Sequence, residues 1–278
     1  NHYSYLLICM ENYQENVVED FGNEWDLYKQ DHSKTNFEEI FSRYFSIFPK
    51  DILNKESVGF DAGCGSGRWA KFVAPKVKEL ICLDPSEKAL NTAKNNLSEF
   101  SNCFFECSSI DDSEIAENSQ DFGYSLGVLH HIPDTKKAMR SCVSKLKRNA
   151  PFLVYLYYRF DNKPIWFRGI WICTDLSRRL ISIMPFNLKV LVTKLIAIIV
   201  YLPLAKLSYL LEYLGLDTSN IPLSQYRKYS FYVMETDALD RFGTKLEKRF
   251  TKTEIKEMMN ESGLSSIEFR DNEPYWVA

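Results

Sequence analysis

Residues 58–70, VGFDAGCGSGRWA, constrain the fold of this chain more than any other stretch. An apolar run ends in Asp61, three alternating glycines follow, and helix-compatible residues come next. That is a strand entering a tight turn and then a helix, an arrangement that offers backbone N–H groups and a helix N-terminus to a ligand. Gly63, Gly65 and Gly67 let the backbone take positive φ and approach the ligand without an obstructing Cβ. Glu79–Leu83 reads as a second strand ending in Asp84, followed by Pro85, Ser86 and a helical run to Leu97. An acid at the tip of that strand, about twenty residues after the first glycine, can accept hydrogen bonds from both hydroxyls of a ribose.

The alternation continues downstream. Strands are expected over 57–61, 79–83, 103–106, 121–126 and 151–157, with helices over 66–74, 86–98 and 134–147, which specifies a parallel sheet with helices on both faces. Gln120–Leu129 leads into His130, His131, Ile132, Pro133 and Asp134. At DAGCGSG and GVLHHIPD the chain resembles the class I S-adenosylmethionine-dependent methyltransferases, over roughly residues 55–158. The resemblance implies a Rossmann-like α/β fold with a doubly wound, mostly parallel, seven-stranded sheet. It places S-adenosylmethionine as cofactor and S-adenosylhomocysteine as product. Asp61, Gly63, Gly65 and Gly67 would shape the methionine end, and Asp84 with Pro85 would hold the ribose. Ser109, Ile110 and Asp111 stand near the adenine, and Leu126 and Gly127 near the amino group. Ser108 or Ser109 stands where many relatives have Asp, so Asp111, a serine hydroxyl and main chain all remain candidates for the adenine contact.

Around this core, residues 1–54 read as an N-terminal helical lid, with Phe37, Ile40, Phe41, Tyr44, Phe45 and Phe48 at helical spacing and Pro49 ending the run. Trp25 in this lid is either an anchor or a side chain that closes over the site. The binding core covers 55–160, and a helical and aromatic cap follows the fifth strand over 161–250. Residues 251–278 return to the core as a helix, capped by Thr251 with Glu254 and ended by Gly263, and two closing strands at Ser265–Phe269 and Tyr275–Val277.

Within the cap, residues 164–216 hold six Lys or Arg side chains against Asp175 and Glu212. Three readings stand: a core-packed helical cap, a surface for anionic lipid, or an interface in a homo-oligomer. The apolar run from Pro185 to Pro203, interrupted by Lys189 and Lys194, is shorter than the ~20 residues needed to cross a bilayer, so no transmembrane span is expected. Residues 1–10 lack the basic leader and cleavage pattern of a signal peptide. The seven cysteines form no C-x-x-C pair, and Cys64 reads as a small filler. A reducing, cytoplasmic setting fits, with membrane association left open. His2 and His32 with the histidine pair make no metal-ligand pattern, and no metal is expected.

His131, and after it His130, are the first candidates for a general base, since a histidine can titrate near working pH. Trp25, Tyr158, Arg159, Tyr226, Arg227, Tyr229 and Arg241 are the candidate acceptor contacts; they suit an anionic small molecule such as a sugar derivative or a lipid-linked intermediate. A formal charge of −3 argues against DNA and gives RNA only the local basic segment. Alternatives are a catalytically silent binding protein on the same fold and an RNA methyltransferase. A dinucleotide-dependent reductase fits less well, because DAGCGSG departs from the G-x-G-x-x-G spacing.

Overall fold

The computed structural model describes residues 12–29 and 37–278. The 1–10 segment considered above, with His2 and Cys9, and His32 lie outside the described residues. Contacts divide the described residues into two compact units: 12–29 with 38–158 and 246–278, and 37 with 159–245.

In the first unit, β1 (Val58–Ala62), β2 (Glu79–Leu83), β3 (Cys103–Glu106), β4 (Phe122–Leu126) and β5 (Phe152–Tyr155) form one parallel sheet in the order β3-β2-β1-β4-β5. The chain order reverses between β1 and β4, the position where sheets of this kind bind ligands beyond their strand ends. Between these two strands a ring lies over a neighbouring glycine in both directions. Gly59 is in register with Phe122 and Phe60 with Gly123, and a Cβ on either glycine would come within 2.4 Å of the facing ring. Phe60, Phe122 and Tyr124 are fully buried there, as expected of a sheet covered on both faces.

The sheet has five strands among the described residues, not the seven expected. Residues 265–278 stay irregular, because Ser266 and Trp276 adopt left-handed backbone (φ 55 and 62), which an extended strand does not tolerate. Among the described residues only Val154 and Ala278 exchange a pair of backbone hydrogen bonds beside β5.

The helix expected over 66–74 contracts to Ala70–Val73 after a run of turns, whereas Glu87–Asn96 starts at its Ser86 N-cap and Thr135–Lys145 at Asp134. Lys252–Glu261 carries the full Thr251–Glu254 capping box. The aromatic segment after Phe37 builds core: Phe41 stacks on Phe72 at 5.0 Å, Phe45 meets Tyr124 at 5.4 Å and Phe48 meets Phe122 at 6.3 Å. Helix Glu15–Leu27 packs on Glu87–Asn96, with Lys88 Nζ donating to Asn23 Oδ1 at 2.7 Å.

The second unit is helical. Ile165–Ile181, Phe186–Tyr213 and Phe231–Gly243 enclose a core that includes Ala197, Tyr201, Ala205, Tyr226 and Phe242. The apolar run does not stop at Pro203 as expected. A π-helical stretch at Ala197–Tyr201 precedes that proline, and such a bulge accommodates its missing N–H, so one 28-residue helix results. That helix is long and apolar enough to cross a membrane by length and composition.

Candidate functional site

The site is assembled where β1, β2 and β4 end. Gly63, Gly65 and Gly67 all take positive φ (79, 54 and 76), so the chain turns back on itself after Ala62. The N–H groups of Gly63 and Cys64 both donate to Leu83 O at 2.8 Å, which ties the turn to the end of β2. Asp84 completes the tie: its carboxylate accepts from Gly65 N and from Ser86 N, each at 2.9 Å. A carboxylate oxygen has lone pairs beyond these bonds, and Asp84 remains partly open to solvent. Burial pushes its carboxyl up to about 6 against the pull of those two N–H groups.

Asp61 is 1% exposed, and its Oδ2 has no hydrogen-bond partner among the described residues. The Tyr124 hydroxyl approaches it without reaching hydrogen-bond geometry. Burial pushes Asp61 up to about 8; Tyr124 and Arg68 pull it down, and the charge of Asp84 adds to the rise. A buried carboxylate left this way is costly unless a cation or donor arrives to satisfy it. Gly127, at φ 80, has nothing within 4 Å of where a Cβ would stand, and its N–H donates to Tyr155 O at 3.0 Å. Leu126 precedes it, buried at the end of β4. An orphaned acid, an anchored second acid and an open glycine fit a ligand that carries an ammonium group and a ribose.

Val128, Arg68 and Asn12, which sequence did not single out, join the expected residues in framing this ligand space. Val128 packs against Gly63, and Arg68 sits over the Trp69 ring at 4.3 Å and the Trp25 ring at 5.6 Å. Trp25 is half-buried, its indole Nε1 2.9 Å from where a Cβ on Gly65 would lie, so the N-terminal helix covers the glycine turn. Asn12 donates to Asp111 Oδ2 at 2.9 Å and to Asp134 O at 2.8 Å. Ser141 also bonds Asp111, which is thereby committed to holding the chain together beside the adenine segment. Ser109 Oγ donates to Asp112 and Ser108 Oγ to Glu106, each at 2.7 Å, while Ile110 is buried. Pro85 O accepts from the Cys107 thiol at 3.8 Å. For Cys64, contact with the Cys82 thiol pulls its own thiol down, but burial and the two aspartates push it up to about 11, as befits a filler rather than a nucleophile.

The histidines follow β4. His131 Nδ1 lies 2.7 Å from Leu246 O; a carbonyl only accepts, so Nδ1 carries the proton and Nε2 the lone pair in the neutral ring. Phe21 packs on this ring at 4.8 Å and His130 at 4.0 Å. His130 is fully buried, stacked on Tyr157 at 3.9 Å, and its Nδ1 accepts from Tyr157 N at 3.4 Å. Burial, then His131 and Arg249, drive its imidazole well below the ordinary histidine range, so it stays neutral.

The acceptor candidates are distributed differently. Tyr158 is buried against Tyr275 at 5.3 Å, and Arg159 is exposed at the start of the second unit. Tyr226 lies inside the second unit, its hydroxyl on Asp237 at 2.9 Å, with Tyr229 at 6.1 Å. Arg227 pairs with Glu212 at 3.1 Å and Arg241 donates to Thr174 at 3.3 Å. In sequence these residues look like free donors because their partners lie up to 67 positions away. Among the described residues no cluster of His, Cys, Asp and Glu could hold a metal.

Residues 60–154 match the methyltransferase domain family. Among solved structures the chain is similar to a chain in the complex between the Haloferax volcanii Trm112 methyltransferase activator and a candidate methyltransferase. That match has 13% identity and a TM-score of 0.52, over 88% of this chain and 78% of the other. A candidate methyltransferase of Bacillus halodurans C-125 matches at 11% identity and a TM-score of 0.51, over 84% and 71%. The YcgJ protein of Bacillus subtilis matches at 22% identity and a TM-score of 0.42, over 49% of this chain; this chain covers 58% of its length. No curated protein sequence matches the chain.

Proposed function

We propose that the protein is a class I methyltransferase that transfers the sulfonium methyl group of S-adenosylmethionine to a small-molecule acceptor, a reading supported by the match of residues 60–154 to the methyltransferase domain family. The observation that carries this reading is the pair of aspartates at the strand ends, one anchored to the glycine turn and one buried with an unsatisfied oxygen. When bound, S-adenosylmethionine would supply a methyl carbon on a good thioether leaving group, ready for displacement by an acceptor lone pair.

What remains for the chain is binding, alignment, dehydration and removal of the acceptor's proton. Asp84 would accept from the ribose hydroxyls through lone pairs that Gly65 and Ser86 leave unused. Asp61 would receive the ammonium group. Trp25 over the turn limits water at Gly65. His131, its tautomer set by Leu246, would take the proton on Nε2. His131→Ala is therefore expected to lower kcat by about 10²-fold or more while cofactor Kd moves less than about threefold. Equal losses in turnover and affinity would remove the base assignment.

The two raised carboxyl groups give the pH dependence its sign. Each must ionise to bind, so cofactor affinity rises with pH as Asp84 deprotonates near 6 and again as Asp61 deprotonates near 8. The loss approaches about one decade per pH unit between pH 8 and 6 and about two decades per unit below pH 6. Calorimetry at pH 7 in buffers of different ionisation enthalpy should report net proton release on binding; an affinity flat from pH 5 to 8 would contradict this arrangement.

For the acceptor, the proposal is an anionic small molecule, such as a sugar derivative or lipid-linked intermediate. Support for a ring in that acceptor comes from Phe21 and Tyr157 beside His131, with Tyr155 against Tyr157, a group that suits stacking. Arg227 and Arg241 lend little support, since both are engaged within the second unit.

A further inference from the structure

The helix Phe186–Tyr213 wears its polarity inside out. Lys189, Thr193, Ala197, Ala205 and Ser208 recur at intervals of three, four and eight residues and are each at most 2% exposed. On its other faces Leu191, Leu195, Ile199, Leu210 and Tyr213 are 47–81% exposed. An amphipathic helix in a water-soluble protein does the opposite. Small and polar residues inward with large apolar ones outward is how helices pack in lipid. The preceding helix repeats the pattern: Arg178 is buried on Asp175 and Thr244 O, while Ile172, Leu176 and Leu180 are 61–65% exposed. Of the 21 large hydrophobic side chains exposed among the described residues, 19 lie between 165 and 216. So large an apolar surface on one segment marks an interaction site.

Charge identifies the occupant. Between 162 and 216 the exposed charged side chains are Arg168, Arg179, Lys194 and Lys206, all basic, with Arg179 paired to Asp175 and Lys194 to Glu235. Such a rim suits anionic headgroups and would repel its own copy across a two-fold contact. Exposed Trp166, Tyr209 and Tyr213 are residue types that settle at a membrane–water boundary. The other side of Phe186–Tyr213 is covered by Phe231–Gly243, and the ion pair Lys194–Glu235 (2.7 Å) joins them. Lipid can therefore reach one side of the long helix only.

We propose that the exposed face of Ile165–Ile181 and Phe186–Tyr213 lies in the interface of an anionic lipid bilayer, its Leu and Ile side chains among the acyl chains, without crossing the membrane. This seating does not depend on methyl transfer. The test is flotation of the whole chain with vesicles of phosphatidylcholine alone or with about one-third phosphatidylglycerol. The chain is expected to float with the anionic vesicles, less so in high salt. Leu176→Glu with Ile199→Glu should cut partitioning at least about tenfold, with helix content and melting kept as the check on folding. Three results would overturn the proposal: no flotation with either vesicle, a dimer in solution that the same double variant dissolves, or retention in the membrane after alkaline extraction, which would indicate a spanning helix.

Discussion

Gly63→Ala is expected to abolish cofactor binding and to cost the first unit about 3 kcal/mol, from two additive causes. At φ 79 an L-residue is strained by roughly 1–2 kcal/mol. The added Cβ would also stand 2.3 and 2.6 Å from the two methyl carbons of Val128, an overlap that the end of β4 must move to relieve. Overpacking of this kind costs a further ~1–3 kcal/mol. Gly263→Ala is the matched control, since φ there is 96 but nothing lies within 4 Å of the new Cβ. It should lose only the strain and keep full cofactor affinity. Adding Val128→Ala to Gly63→Ala should return part of the stability, and urea denaturation of the four proteins in that cycle measures the coupling. Strict additivity would show that Val128 does not set the position of the turn.

Asp84→Ala carries the other large effect. The carboxylate holds Gly65 N and Ser86 N as well as offering acceptors to a ribose, so its removal loosens the turn and deletes the ligand contacts together. A loss of S-adenosylmethionine affinity of about 100-fold or more is expected, equivalent to roughly 3 kcal/mol. Asp84→Asn separates the two jobs: an amide keeps one acceptor, its NH₂ cannot accept the second N–H, and an intermediate loss should follow. Binding calorimetry on both variants, with circular dichroism to show that they fold, is the check. Wild-type affinity in Asp84→Ala would place the ribose elsewhere.

Much of the first unit could be read from local signals. The strand ends at Asp61 and Asp84 follow from apolar runs punctuated by glycine and proline, and the capping box at Thr251 is a pattern within four residues. Contacts set by long separations were not legible. Val128 against Gly63, Asn12 on Asp111 and Leu246 fixing the His131 tautomer join residues 65 to 115 positions apart. The same blindness made Arg227 and Arg241 look available when Glu212 and Thr174 engage them. The closing strands failed because two residues, Ser266 and Trp276, take a backbone conformation that composition does not announce. Pro203 misled in the opposite sense: a π-helical stretch absorbed a residue that ordinarily ends a helix.

The central claim is that Asp61, Asp84 and the glycine turn bind S-adenosylmethionine. Calorimetric titration of the purified chain with S-adenosylmethionine and S-adenosylhomocysteine tests it most directly. Saturable one-to-one binding of both, weakened by Asp84→Ala and accompanied by proton release at pH 7, is the predicted result. No heat and no competition from either compound, in a protein shown to be folded, would contradict it.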